Sequence, residues 1–228
     1  LAGKRLKEFN TSYFSNLDSE STYWLGFIQA DGCVQLDPRK PTTKTLRIEV
    51  HADDAPHLDL FRQAVGANSH ELKPGRKNTV YLSLTSRELC DDLISLGVKP
   101  RKSFTGSFPT EIPKEFLSHY LRGVFDGDGC ITIRKSGRPR ALIVGSKGFC
   151  NWSYDILASE AGITGGGVYP ISTIMSVEYT GWKQVGQFKD FIYKESTVSL
   201  NRKRLIFESL FSHRETDGFL NSKEKKVS

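Results

Sequence analysis

Between Trp24 and Cys33 the sequence reads WLGFIQADGC, apolar for most of its length until it meets Asp31 and Gly32. As a buried helix, this stretch carries a carboxylate in its last turn, against the negative end of the helix dipole. Alternation follows. In TLRIEVH, Leu46, Ile48 and Val50 alternate with Thr45, Arg47, Glu49 and His51, which predicts a strand with one polar face. DAPHLDLFRQAVG predicts a helix with Asp54 as N-cap, Pro56 in the first turn and Gly66 at its close. KPGRKN reads as a hairpin turn into TVYLSLTS, with Val80, Leu82 and Leu84 inward. SRELCDDLISLG predicts a helix from its N-cap Ser86 to Gly97.

The opening pattern then returns. YWLGFIQADGC (Tyr23 to Cys33) matches YLRGVFDGDGC (Tyr120 to Cys130) at an offset of 97 residues, from Asp31 to Asp128. Such an internal repeat determines the architecture. ITIRKSGRPRALIVGS is a hairpin around Ser136 and Gly137, FCNWSYDILASEAG a helix, GGVYPISTIMSVEYTG a second hairpin and WKQVGQFKDFIYKES a helix; a last helix lies near KRLIFESLF. The expected fold is α+β, with two αββαββα halves related by a pseudo-twofold axis. Residues 1–97 form the first half, 98–112 a proline-containing linker, 113–213 the second half and 214–228 a polar tail, frayed at NSKEKKVS.

Small residues four apart, Gly26 with Ala30 and Gly123 with Gly127, lie on one face of each repeated helix. They permit close backbone approach, and each copy is the natural partner of the other. A single Asp-Gly pair is an ordinary turn. Two in register bring Asp31 and Asp128 together at two negative helix ends, among unsatisfied carbonyls. Like charges so placed raise one another's pKa. A divalent cation relieves the conflict and recruits the carbonyls of Ala30 and Gly127; oxygen-only ligation favours Mg²⁺ over zinc.

Composition narrows the partner. The chain has 228 residues, 38% hydrophobic and 11% aromatic, and a net charge of +6, which leans toward a polyanion. No apolar run reaches the ~18 residues of a membrane span, and LAGKRLKEFN lacks the apolar core of a signal peptide. The four cysteines show no CxxC spacing, so reduced thiols are expected, without zinc or disulfides. The expected location is the cytoplasm of a prokaryote or phage host, or an organelle.

The two motifs, WLGFIQADG and LRGVFDGDG, resemble those of the LAGLIDADG homing endonuclease family, in its single-chain, two-motif form. The resemblance covers nearly the whole chain. It implies saddle-shaped antiparallel sheets around a central two-helix interface, and a monomer that cuts one phosphodiester on each strand of a long double-stranded DNA site. It also implies Asp31 and Asp128 as catalytic metal-binding acids, each serving one strand, with the carbonyls of Ala30 and Gly127 as further ligands. Mg²⁺ is the expected ion, with Mn²⁺ tolerated and Ca²⁺ binding without efficient cleavage; no small-molecule cofactor and no membrane are expected. A catalytic lysine often follows the last helix of each half. Lys102, 71 residues after Asp31, and Lys203, 75 after Asp128, fit, each preceded by arginine (Arg101, Arg202); the alternative is a solvated linker lysine. The sixth motif position, often acidic, is Gln29 in one copy and Asp126 in the other. A polar position at the end of each second strand falls on Ala52 or Asp53 and on Ser146, so unequal cutting of the two strands is expected.

In the family the sheets lie in the major groove, whose base edges carry the full code. The polar strand positions expected to face DNA are Lys44, Arg47, Glu49, Arg76, Lys77, Asn78, Tyr81 and Ser83 in the first half. In the second they are Thr132, Arg134, Lys135, Arg138, Arg140, Ser172, Thr173, Ser176 and Glu178. Basic hairpin tips, among them Arg39, Lys40 and Lys73, suit phosphate contacts. Alternatives are an RNA-binding intron maturase and a catalytically inactive DNA-binding regulator on the same fold. Retention of both aspartates argues against the inactive regulator. Widely spaced tryptophans disfavour a two-carboxylate glycosidase, and the absence of an HExxH motif disfavours a zinc enzyme.

Overall fold

The computed structural model of the chain describes residues 8–100, 108–109 and 111–224. The repeat is visible in the element order. The first half runs α1 (Ser19–Asp31), β1 (Gly32–Asp37), β2 (Lys40–His51), α2 (Ala55–Ala64), β3 (Lys73–Pro74), β4 (Thr79–Thr85) and α3 (Arg87–Ser95). The second runs α4 (Leu117–Asp128), β5 (Gly129–Ile133), β6 (Pro139–Gly145), α5 (Lys147–Glu160), β7 (Gly167–Ile171), β8 (Ile174–Thr180) and α6 (Trp182–Tyr193), followed by α7 (Asn201–Glu224). Each half has one four-stranded antiparallel sheet, in the order β1-β2-β4-β3 or β5-β6-β8-β7.

Local chemistry explains the boundaries. Asp18 opens α1 with a capping box: its side chain accepts from Ser21 N at 2.7 Å while the Ser21 hydroxyl accepts from Asp18 N at 2.8 Å. Ser86 and Ser146 cap α3 and α5 in the same sense, accepting from Leu89 N and Phe149 N. Gly97 and Gly137 take positive φ, 92° and 73°, at a helix end and a hairpin tip. Alternation holds in the strands. Leu46, Ile48, Leu82 and Leu84 are buried in the first sheet, and Ala141, Ile143, Val177 and Tyr179 in the second. Helices α2 and α3 pack on β2, and α5 and α6 on β8, so each sheet has one covered face.

The most extensive contact between elements is α1 against α4. A methyl group built at Gly26 would run into the carbonyl of Tyr120, and one built at Gly123 into the carbonyl of Tyr23. One built at Gly127 would strike the side chain of Ala30. The small residues of the two motifs therefore form the interface expected of them, backbone against backbone. Tyr23, Trp24, Tyr120 and Phe125 fill the core around it and are fully buried.

Three details differ from the sequence expectations. The Asp54 side chain makes no capping bond to α2, because its carboxylate is taken by Arg202 at 2.9 and 3.0 Å. Helix α7 continues through Glu224, along the polar tail and into the first residues of NSKEKKVS, expected to be frayed. Lys44 does not face the open side of its sheet: it falls on the same side as Leu46 and pairs with Asp91 of α3.

Overpacking a helix contact of this kind costs about 1–3 kcal/mol or more. Gly123→Ala is therefore expected to lower the urea midpoint sharply, whereas Ser136→Ala, at an exposed hairpin tip, leaves it within the scatter. Equilibrium unfolding followed by circular dichroism reads both.

Candidate active site and nucleic-acid interface

Asp31 and Asp128 are the last residues of α1 and α4. Gly32 and Gly129 then turn the chain into β1 and β5, their N–H groups bonding back to Ile28 O and Phe125 O. Each acid thus stands where a motif helix becomes the first strand of a sheet. Asp31 is half-buried and Asp128 exposed. The carboxylate of Asp31 lies beside Gly127, since a Cβ there would stand 3.3 Å from Asp31 Oδ2. The two acids consequently flank one small apex where the helices end together.

Lys203 sits under that apex. It lies in the first turn of α7 and is 5% exposed. Its Nζ donates to the carbonyls of Phe125 (2.7 Å), Gly127 (3.0 Å) and Gly129 (2.7 Å). An ammonium has three protons, and three carbonyls at the end of α4 take them. The linker-lysine alternative therefore fails for Lys203. Its pKa is lowered to about 8, chiefly by burial; Asp126, Asp31 and Asp128 pull it upward, and Arg202 pushes it down. Lys102 and Arg101 lie outside the described residues.

Arg202, beside it, turns the other way. It forms the ion pair with Asp54, 9% side-chain exposed, and so ties the start of α7 to the first half. This pair raises the Arg202 pKa, the hydrogen bond to Asp54 being the largest cause.

Asp126 explains the asymmetry at the sixth motif position. It is fully buried and accepts from Tyr23 Oη (2.9 Å), Tyr193 Oη (2.7 Å) and Leu200 N (2.7 Å). Burial pushes its pKa up; the bonds from Leu200, Tyr193 and Tyr23 oppose the shift. Leu200 in turn accepts from Lys203 N at 3.0 Å, so Asp126 anchors the turn that carries the lysine. Arg122, 1% exposed, holds the same connection by donating to Val198 O and Ile192 O. Tyr23 Oη is also 2.7 Å from His57 Nε2. With Tyr23 donating to Asp126, His57 must donate through Nε2 and is therefore the neutral Nε2–H tautomer. None of Arg122, His57, Asp54 or Tyr193 was singled out as functional from sequence. The repeated tyrosine and the acid opposite Gln29 were the available signals.

The donor set at the apex fits a hard divalent cation. It offers two carboxylates and main-chain carbonyls, all oxygen donors. Among the described residues no group of three or more His, Cys, Asp or Glu side chains could hold a metal. An ion here would draw its remaining ligands from water and substrate, as Mg²⁺ commonly does. The Gly127 carbonyl already accepts one bond from Lys203, which leaves its second lone pair.

The uncovered sheet faces carry most of the polar positions expected to meet nucleic acid. On the first, the Arg47 guanidinium stacks 3.5 Å from the Tyr81 ring centroid and bonds Glu49 at 2.8 Å. Glu49 also accepts from Thr79 at 2.5 Å. Arg76, Lys77 and Asn78 are exposed in the β3–β4 turn, and Ser83 is half-buried beside Arg47. On the second, Thr132, Arg134, Lys135 and Arg138 are exposed on the β5–β6 hairpin, and Ser172 and Thr173 form the β7–β8 turn. Two positions expected to be open are not. Ser176 (0% exposed) and Glu178 (7%) lie on this face, but Arg140 and strand β7 cover them. Arg140 grips Glu178 through two bonds of 2.9 and 2.5 Å, and Ser176 adds a third at 2.7 Å. Ser146 serves as a helix cap, and Asp53 stands in a 3-10 turn, Ala52–Asp54.

No protein-family model matches the sequence, and no curated protein is similar to it. Solved structures do resemble the fold. The LAGLIDADG meganuclease I-AabMI bound to uncleaved DNA aligns with a TM-score of 0.57 at 12% identity over 91% of this chain and 92% of that one. The LAGLIDADG homing endonuclease I-LtrWI bound to target DNA gives 0.58 at 11% identity, over 92% of each chain. I-SmaMI bound to an uncleaved DNA target in the presence of calcium ions gives 0.57 at 13% identity, over 89% and 93%. The chain therefore has the two-half LAGLIDADG fold, as its motifs suggested.

Burial lowers the His57 pKa to about 4. The folded state resists a proton that the unfolded chain accepts below about 6.5. Stability is therefore full above pH 6.5 and is lost as pH falls toward 4, by on the order of 3 kcal/mol. His57→Gln, which keeps a donor for Tyr23, is expected to flatten that part of the stability–pH curve measured by urea unfolding.

Proposed function

We propose that the chain is a site-specific endonuclease that hydrolyses one phosphodiester on each strand of a long DNA duplex. One observation carries the reading above the rest: two motif helices end together with Asp31 and Asp128 flanking a shared apex. Two acids at two negative helix ends are a poor arrangement for stability alone. Beside a polyanion's scissile phosphates they become useful once a cation is present. Asp31, Asp128 and the carbonyls of Ala30 and Gly127 would hold Mg²⁺, which supplies Lewis acidity toward water and phosphoryl oxygens.

The remaining work falls to the chain's own residues. Lys203 donates all three protons to carbonyls at the end of α4 and the start of β5, so it acts through its charge and by fixing that junction. That charge offsets the helix dipole next to Asp128 and lies close to where negative charge gathers in a displacement at phosphorus. In this reading Lys102 serves the first half, and Arg202 with Asp54 keeps α7 seated against that half. The two uncovered sheet faces flank the apex, because β1 and β5 start at the residues after the acids. They run along the groove on either side of the cut. Exposed Arg76, Lys77, Arg134, Lys135 and Arg138 meet phosphates, and Arg47 and Arg140 approach base edges. A monomer suffices, since one chain carries both acids.

On a cognate duplex, Asp31→Asn and Asp128→Asn are each expected to slow double-strand cleavage at least about a hundredfold. Binding measured by gel shift in Ca²⁺ should remain within a few fold. Full cleavage by the doubly substituted protein would overturn the reading. Chelation of divalent ions is expected to stop cleavage, and added Mg²⁺ to restore it. Lys203→Met is expected to slow cleavage more than it weakens binding; equal loss of both would make Lys203 purely structural.

A further inference from the structure

The two uncovered sheet faces differ in chemistry. In the first, the positions opposite the buried rows are Thr45, Arg47 and Glu49 on β2 and Tyr81, Ser83 and Thr85 on β4. All carry polar groups, and the Tyr81 ring lies under the Arg47 guanidinium. In the second, Ala141 and Ile143 are buried, so Leu142 and Val144 point to the uncovered side, where both are half-buried. Tyr169 and Ile171 on β7 lie on that side too, since Tyr169 pairs with Ser176 and Ile171 with Ile174. They are 48% and 36% exposed, large side chains left in water; Arg134 lines one hollow with Tyr169 and Glu178, and the hairpin that carries it adds Lys135 and Arg138 at that end of the sheet. Glu178, the acid of this face, has both carboxylate oxygens occupied by Arg140 and Ser176. Glu49 of the first face is held likewise, by Arg47 and Thr79, so the difference between the faces lies in their apolar positions.

We propose that the second sheet reads thymine methyl groups, so that the half-site beneath it is rich in A·T pairs, whereas the first sheet reads polar base edges. The inference rests on the DNA-cleaving function proposed above. The occupant follows from the surroundings. The basic β5–β6 hairpin at one end of this face calls for a polyanion, and the apolar feature that a duplex presents in its major groove is the C5-methyl of thymine. Leu142 and Val144 on β6, and Tyr169 and Ile171 on β7 across strand β8, are apolar positions of this face that would bury such methyls and gain their transfer energy. Arg140, held by Glu178 on the neighbouring strand, stands beside Leu142 as a rigid donor for one guanine or phosphate.

The test selects duplexes from a randomised library with the full chain in Ca²⁺, then measures affinity for the consensus. Thymine is expected to dominate several positions of one half-site. Replacing those thymines by deoxyuridine should weaken binding roughly fourfold per methyl. The same exchange in the other half-site should change binding less than twofold. Ile171→Ser, at an exposed position, is expected to relax selection in the thymine-rich half only. Retained duplexes with equal deoxyuridine effects in both halves would overturn the inference while leaving the proposed function standing. So would an unchanged selection by the Ile171→Ser protein. Failure to retain any duplex would overturn both.

Discussion

Everything in this structure depends on how closely two helix backbones approach. Gly26 lies under the Tyr120 carbonyl and Gly123 under the Tyr23 carbonyl, with no room for a single added carbon at either point. That contact sets the pseudo-twofold axis. It brings the ends of α1 and α4 together, and each end passes directly into the first strand of a sheet. Acid pair, sheet positions and core all follow from one steric constraint that only glycine satisfies.

The electrostatic cost of that constraint is met at the end of α4 by charge brought from afar. At the end of α4 a buried lysine collects three carbonyls, and its loop is held by Asp126 and Arg122. Asp126 also reaches across the axis to Tyr23, whose hydroxyl continues to His57. The repeat partner of Tyr23 is Tyr120, whose hydroxyl is buried without a hydrogen-bond partner among the described residues. One end of the pseudo-symmetric pair is thus braced by a charged network that crosses the axis. The network is built on Asp126, at the motif position where the first copy carries Gln29.

Much of this was legible in the sequence, for physical reasons that can be named. The repeat exposed the interface glycines and both acids, because a close helix contact leaves the same small residues in both copies. Strand alternation identified the buried rows, because a sheet with one covered face sorts side chains with period two. What escaped was set by partners distant in sequence. Lys44 is a polar strand position and so reads as open to DNA, yet it falls on the covered side and meets Asp91, 47 residues away. Ser176 and Glu178 were assigned to the correct face, but their exposure depends on Arg140 and β7. Asp54 was read as a cap, the common local use of an N-terminal aspartate. Its true partner, Arg202, lies 148 residues on. The spacing that picked out Lys203 carried no information about burial, which arises only when α7 folds back under α4.

The glycine contact has one further consequence. Interfaces built from side chains have slack: a longer or shorter residue can shift two bodies by an ångström and still pack. Two backbones in contact have almost none. The span from one acid to the other is then set by main-chain dimensions and works as a gauge block, indifferent to substitutions on the sheet faces. In a nuclease of this design the recognition surface could drift toward new sequences while the stagger of the cut stayed constant.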